Sequence, residues 1–197
     1  MYPKSFEKLI KNFSSLPSVG PKMAERLVLH LFKQNKEDLE EFATNLSKIK
    51  ELQHCKKCFN ISEGDLCEIC KNTSRKKEAL CVVEDPLDII SIERTRIYQG
   101  LYHVLGGTME SSSAKKESEL KISELLKRVQ DEKTKEVILA MNPTTEGDLT
   151  ALYLKRKLQD IEGLKVTRLA RGMSTGGDIE YADELTLSGA LTNRKEI

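Results

Sequence analysis

Residues 55–70 read Cys55-Lys56-Lys57-Cys58-Phe59-Asn60-Ile61-Ser62-Glu63-Gly64-Asp65-Leu66-Cys67-Glu68-Ile69-Cys70. Two Cys-x2-Cys pairs separated by 8 residues place four thiolates around one point. Zinc takes four such ligands tetrahedrally. The stretch between the pairs, Phe59 to Leu66, contains the turn signal Gly64-Asp65. It is long enough for a hairpin and too short for an apolar core, so a metal supplies much of this segment's folding free energy. Two disulfides are the competing assignment, but such frameworks belong to secreted chains. Four cysteines leave zinc no open coordination position. Cys55, Cys58, Cys67 and Cys70 therefore read as a structural site for one zinc per chain. His54 could stand in for a ligand but is not needed.

Working outward, the 197 residues can hold one large domain or several small ones. The chain opens on Met1-Tyr2-Pro3-Lys4 with no apolar run, so no signal peptide is expected. No stretch approaches the roughly 18 apolar residues that span a bilayer, and no membrane association is expected. The expected setting is the cytoplasm, with nucleoid association, where thiols stay reduced. Net charge is +1, yet residues 1–78 carry 15 Lys and Arg against 11 Asp and Glu, and the remainder 17 against 20. A basic front and an acidic back point to different partners for the two halves. The absence of Trp argues against a base-stacking platform.

On the N-terminal side, Phe6, Leu9, Ile10 and Phe13 recur at helical spacing. Leu16-Pro17-Ser18-Val19-Gly20-Pro21 breaks that helix, and Pro21 suits the first position of the next, whose apolar residues are Met23, Leu27 and Leu31. Asn35 is placed to cap a third helix with Asp38 in its first turn. Leu39, Phe42, Leu46, Ile49 and Leu52 are its expected buried stripe. On the C-terminal side, 71–78 reads as a polar linker. Strands are then expected at 79–83, 101–105, 137–141 and 165–170, alternating with helices at 86–94, 118–130 and 149–158. Such alternation predicts a mostly parallel sheet with helices on both faces and ligands at the strands' carboxyl ends. A terminal helix or an irregular tail is expected over 180–191. Cys81, mid-strand, reads as core, as do His30 and His103 as packed or solvated side chains.

Three constellations carry chemistry. The first is Leu16 to Ala24, which resembles the helix-hairpin-helix DNA-binding motif. A hairpin followed by a helix start turns backbone N–H groups outward, where a phosphate accepts them. Val19, Gly20, Lys22 and Arg26 are the candidate DNA-binding residues, with Lys22 and Arg26 on one helix face. Ser18 stands where that motif usually has glycine. The second is acidic: Glu84 ends one strand, and Glu146-Gly147-Asp148 follows another. If these strands are neighbours, the carboxylates converge at one sheet edge and form a candidate Mg²⁺ site or protein-docking site. The pattern resembles the Toprim domain, with Glu146 where that family has Asp. No tyrosine among Tyr98, Tyr102, Tyr153 and Tyr181 sits in a nucleophilic context. The third, Gly172 to Glu184, loosely resembles a Walker B segment; no phosphate loop accompanies it, so ATP binding is not expected.

The order of these modules, and the strings Cys81-Val82-Val83-Glu84-Asp85-Pro86, Tyr98-Gln99-Gly100-Leu101-Tyr102-His103-Val104-Leu105-Gly106-Gly107 and Asn142-Pro143-Thr144-Thr145-Glu146-Gly147, resemble the RecR family of bacterial recombination mediators. The resemblance spans essentially the whole chain. It implies an α/β multidomain fold: a helix-hairpin-helix domain at 1–53, a four-cysteine zinc knuckle at 54–77, a Toprim domain at 78–172, and a Walker B-like oligomerisation segment at 173–197. It also implies a DNA-repair protein without catalysis. Such a protein forms a dimeric or tetrameric ring, binds single- and double-stranded DNA without sequence preference, and works with RecO and RecF to load RecA. The rival readings are a Mg²⁺-dependent Toprim nuclease or topoisomerase-like enzyme and a monomeric zinc-stabilised DNA-binding adaptor. After Gly107 the family carries a Pro- and Gly-containing segment, whereas residues 109–116 here read Met-Glu-Ser-Ser-Ser-Ala-Lys-Lys.

Overall fold

The computed structural model describes residues 2–109 and 119–196. The chain divides into two compact units, Met1–Leu52 and Gln53–Ile197. The divergent segment after Met109 and the expected helix start at Ser118 lie outside the described residues.

The first unit is helical: α1 (Lys4–Ser14), α2 (Pro21–Phe32), α3 (Lys36–Lys48) and a 3-10 turn at Ile49–Glu51. Helix α1, with Phe6, Ile10 and Phe13 half-buried, packs on α2, whose fully buried residues are Ala24 and Val28. Small and β-branched side chains thus let the two helices approach, while Met23, expected inside, is exposed. The expected cap on α3 is present: Asn35 Oδ1 accepts the Asp38 N–H at 2.8 Å. Its apolar stripe is amphipathic as spaced, but not buried. Leu39, Phe42, Leu46, Ile49 and Leu52 are all exposed. The facing surfaces of α1 and α2 satisfy one another, and the unit contains nothing else to cover α3.

The second unit opens with the zinc segment. Strands β1 (Gln53–His54) and β2 (Ile61–Ser62) pair antiparallel, followed by the single turn α4 (Glu68–Lys71). The hairpin therefore closes around the first cysteine pair, not between the two pairs as expected. Then come β3 (Lys76–Val83), α5 (Pro86–Arg94), β4 (Gly100–Val104), α6 (Ile122–Asp131), β5 (Glu136–Ala140), α7 (Thr145–Leu158), β6 (Lys165–Arg168) and α8 (Glu184–Thr192). Strands β3 to β6 form a parallel sheet in the order β4-β3-β5-β6. Alternation splits β3 between two cores. Leu80 and Val82 join Leu125, Val129, Leu154 and Leu158 of α6 and α7. Cys81 and Val83 join Ile89 of α5 and Tyr102 on the other face.

Several boundaries differ from expectation, β6 ending at Arg168 and β4 starting at Gly100 among them. The polar stretch read as linker already contains the start of β3, because Lys76 pairs with Gly100 beyond the buried part of the sheet. Arg75 just before it is pinned by Glu93, its Nη1 lying 2.8 Å from Oε1. That guanidinium and the Tyr102 hydroxyl, which donates to Glu93 at 2.6 Å, hold the Glu93 carboxyl below the usual range. Helix α7 begins at Thr145, not Leu149, because Thr144 Oγ1 caps it by accepting the Gly147 N–H at 3.0 Å. The tail forms a 3-10 turn at Ile179–Tyr181 and then α8, so only part of the expected span is α-helical. No helix among the described residues is long and apolar enough to cross a membrane.

Candidate functional site

The cysteine quartet assembles as its spacing predicts. The four Sγ atoms lie within 4.8 Å of one another, and Cys58 and Cys67 approach to 3.5 Å. Zinc–sulfur bonds of about 2.3 Å give a tetrahedron with edges of roughly 3.8 Å, so the donor set fits zinc. No disulfide links any of the five cysteines. Phe59, in a left-handed turn at φ 63°, bends the first knuckle so that its N–H reaches the Cys55 carbonyl at 2.9 Å. His54 is no ligand: its Nδ1 lies 3.0 Å from the Phe59 carbonyl. With protons on the sulfurs the cluster conflicts with itself. Cys67 is drawn down by hydrogen bonds from Cys58 and Cys70, while its bond to Cys67 and burial push Cys58 up. A dication removes that conflict by taking all four as thiolates.

The knuckle is fastened to the sheet edge. Val104 N–H donates to the Cys58 carbonyl at 2.9 Å, and Lys57 pairs at 3.0 Å with Glu132, the residue that caps the end of α6. The Phe59 ring meets His103 edge-on at 5.4 Å between centroids. His103 is wholly buried, which pushes its pKa down to about 4, and its Nε2 lies 2.8 Å from the Lys121 carbonyl. It packs, as expected.

In the hairpin, Ser18 adopts φ 64°, the left-handed conformation that glycine takes without strain. Val19 departs from the expected role of free donor, since its N–H is spent on the Leu16 carbonyl at 3.2 Å. Gly20 precedes α2, and no side chain caps that helix start. Its φ of −77° suits any residue, and a Cβ there would meet nothing within 4 Å. Nothing inside the unit requires a glycine. Lys22 and Arg26 are exposed and make no ion pair among the described residues.

The acidic residues are brought to one rim, because β3 and β5 are neighbours. They do not converge as a metal cluster. Among the described residues, the cysteine quartet is the one group of three or more His, Cys, Asp and Glu side chains close enough to share an ion. Glu84 instead clamps the exit of β5, accepting the Asn142 N–H and side-chain amide at 2.7 Å each. Asp148 accepts hydrogen bonds from Arg168 and Arg171, which hold its carboxyl below the usual range. Of the three, Glu146 has no side-chain partner among the described residues, and it stands half-buried in the first turn of α7. Gly147 is required here: a Cβ would stand 2.2 Å from the Asn142 carbonyl oxygen. Gly147→Ala is expected to cost about 2 kcal/mol by forcing α7 off this loop, read as a lowered denaturation midpoint.

Tyr98 and Tyr102 are packed edge-on and pushed up in pKa chiefly by burial, so neither is an activated nucleophile. The acidic end of the Walker B-like segment is a helix cap, with Asp183 accepting the Thr186 N–H at 2.9 Å and its hydroxyl at 2.7 Å. The roles of Arg75, Arg168, Arg171 and Asn142 as partners of Glu93, Asp148 and Glu84 are not read from the sequence. Only their partners across the fold reveal them.

Four family profiles match the chain in succession: the RecR helix-hairpin-helix over residues 6–50; the RecR four-cysteine zinc finger domain over 52–72; the Toprim domain over 78–170; and the RecR C-terminal segment over 172–195. Among curated proteins, the chain is 46% identical to a recombination protein RecR of Staphylococcus haemolyticus, covering 100% of this chain and 99% of that one. It is 44% identical to a recombination protein RecR of Rubrobacter xylanophilus, covering 100% and 98%.

Proposed function

The chain belongs to the RecR family of recombination proteins, and from that premise we propose that it is a DNA-binding mediator of recombinational repair without catalysis of its own. It binds single- and double-stranded DNA through the hairpin, assembles as a dimeric or tetrameric ring, and works with RecO and RecF to load RecA. It acts in the cytoplasm, at the nucleoid. The observation that carries this reading is the start of α2. Gly20 leaves the backbone open to close approach, no side chain caps the helix start, and Lys22 and Arg26 stand beside it with no ion pair among the described residues. Those are the groups that recognise a phosphate and read no sequence. The zinc is structural, one per chain.

The acidic rim serves as a protein-docking surface in this reading. A Toprim nuclease needs Glu84, Glu146 and Asp148 available to a cation, and two of the three are engaged by Asn142, Arg168 and Arg171. Glu146 is the residue left to meet a basic partner such as RecO. Glu146→Ala is expected to keep DNA affinity within about twofold while weakening RecO capture roughly tenfold. The check is a pull-down of RecO beside incubation of the parent chain with Mg²⁺ and nicked, supercoiled and single-stranded DNA. Unchanged RecO capture overturns the docking role. Mg²⁺-dependent cleavage that Glu146→Ala abolishes overturns the mediator in favour of an enzyme.

A further inference from the structure

Arg171 ties the C-terminal segment to the rest of the second unit. Helix α8 buries no residue, and Ile179, Tyr181, Leu185 and Leu191 stand 73%, 82%, 78% and 66% exposed. Arg171 is the hub. Its side chain reaches back to Asp148 in the first turn of α7. Its carbonyl accepts the Asn193 side-chain amide at 3.0 Å, and a Cβ on Gly189 would stand 3.1 Å from its own Cβ. One face of the residue therefore grips the start of α7 and the other grips α8. Arg168, at the end of β6, shares the same Asp148 oxygen but belongs to the sheet itself.

We infer that residues 171–193 are a strap, latched to the parallel sheet by Asp148 through Arg171 and released when that ion cluster is broken. Asp148 is then a positioning residue, not a cation ligand. The latch has a consequence for the rim. A cavity of about 640 Å³ lies at the carboxyl ends of β5 and β6, with Asn142 and Arg168 on the sheet side. Its opposite wall is Asp183, Leu185 and Thr186 of the strap. The strap's seating thus decides whether the sheet end is closed, at the place where open α/β sheets receive ligands. Two arginines on one half-exposed carboxylate form a latch weak enough to open and sensitive to salt.

Residue-resolved hydrogen exchange on the full-length chain tests this. In Asp148→Asn and in Arg171→Gln, the α8 amides bonded to Asp183 and Gly189 are expected to exchange roughly fivefold faster, the scale of a half-exposed ion cluster. The double variant should be no faster than either single, because both remove one interaction. Amides at 150–158 of α7 should keep the parent's protection. Raising salt to about 1 M should speed strap exchange in the parent and leave Asp148→Asn unchanged. Gly189→Ala, which crowds Arg171 without touching the ion cluster, should loosen the strap while keeping its salt response. Strap exchange equal to the parent's in both single variants, or strap and α7 accelerating together, overturns the latch.

Discussion

Cys55→Ser is expected to strip the chain of its metal, from one zinc per chain to near none. Three sulfurs cannot close the tetrahedron, and a serine hydroxyl at neutral pH does not replace a thiolate. Structural zinc contributes on the order of 10 kcal/mol to isolated fingers, so a loss above about 3 kcal/mol is expected for this segment even with the rest of the unit intact. The damage should spread to a defined place. The Cys58 carbonyl accepts the Val104 N–H of edge strand β4, and Lys57 holds Glu132 at the end of α6, so both contacts loosen with the knuckle. Cys81→Ala serves as the control, since Cys81 lies in the core between β3 and α5 and away from the quartet. Metal analysis of both variants purified under reducing conditions, without chelator, makes the check. Full zinc in Cys55→Ser, or none in the parent, contradicts the assignment.

Lys22→Ala combined with Arg26→Ala is expected to weaken DNA binding by one to two orders of magnitude, on the order of two lost phosphate contacts at moderate salt. The loss should be equal for unrelated sequences, because neither side chain reads a base edge. The slope of log affinity against log salt should flatten by about 2, one per lost contact. The fold should be untouched, as both residues are exposed and the pair Ala24 and Val28 that joins α1 to α2 is unchanged. Titration of labelled single- and double-stranded DNA at several salt concentrations reads both quantities. Affinity equal to the parent's would place the DNA surface elsewhere.

Much of this was legible in the sequence, because its signals are local. Two Cys-x2-Cys pairs fix a metal site whatever surrounds them. Asp85-Pro86 starts α5 where expected, since Asp85 and Asp88 form a capping box and Pro86 fits the first turn. Apolar runs placed all four parallel strands, while the fold itself sets β3 beside β5. What stayed hidden depends on partners far along the chain. Asp148 reads as a metal ligand until Arg168 and Arg171 arrive from 20 and 23 residues away. Glu84 reads the same way until Asn142, 58 residues on, folds over both its oxygens. The stripe of α3 shows the converse. Helical spacing says which residues share a face, not whether anything covers that face.

The mediator reading is tested most directly by following RecA assembly on single-stranded DNA already coated with single-strand-binding protein, with RecO and Mg²⁺ present and the chain added or withheld. Faster assembly with the parent, little acceleration with the Lys22→Ala, Arg26→Ala variant, and DNA recovered at full length are the predicted results. Assembly no faster with the chain than without it, or strands cut in proportion to the chain added, would contradict the mediator role.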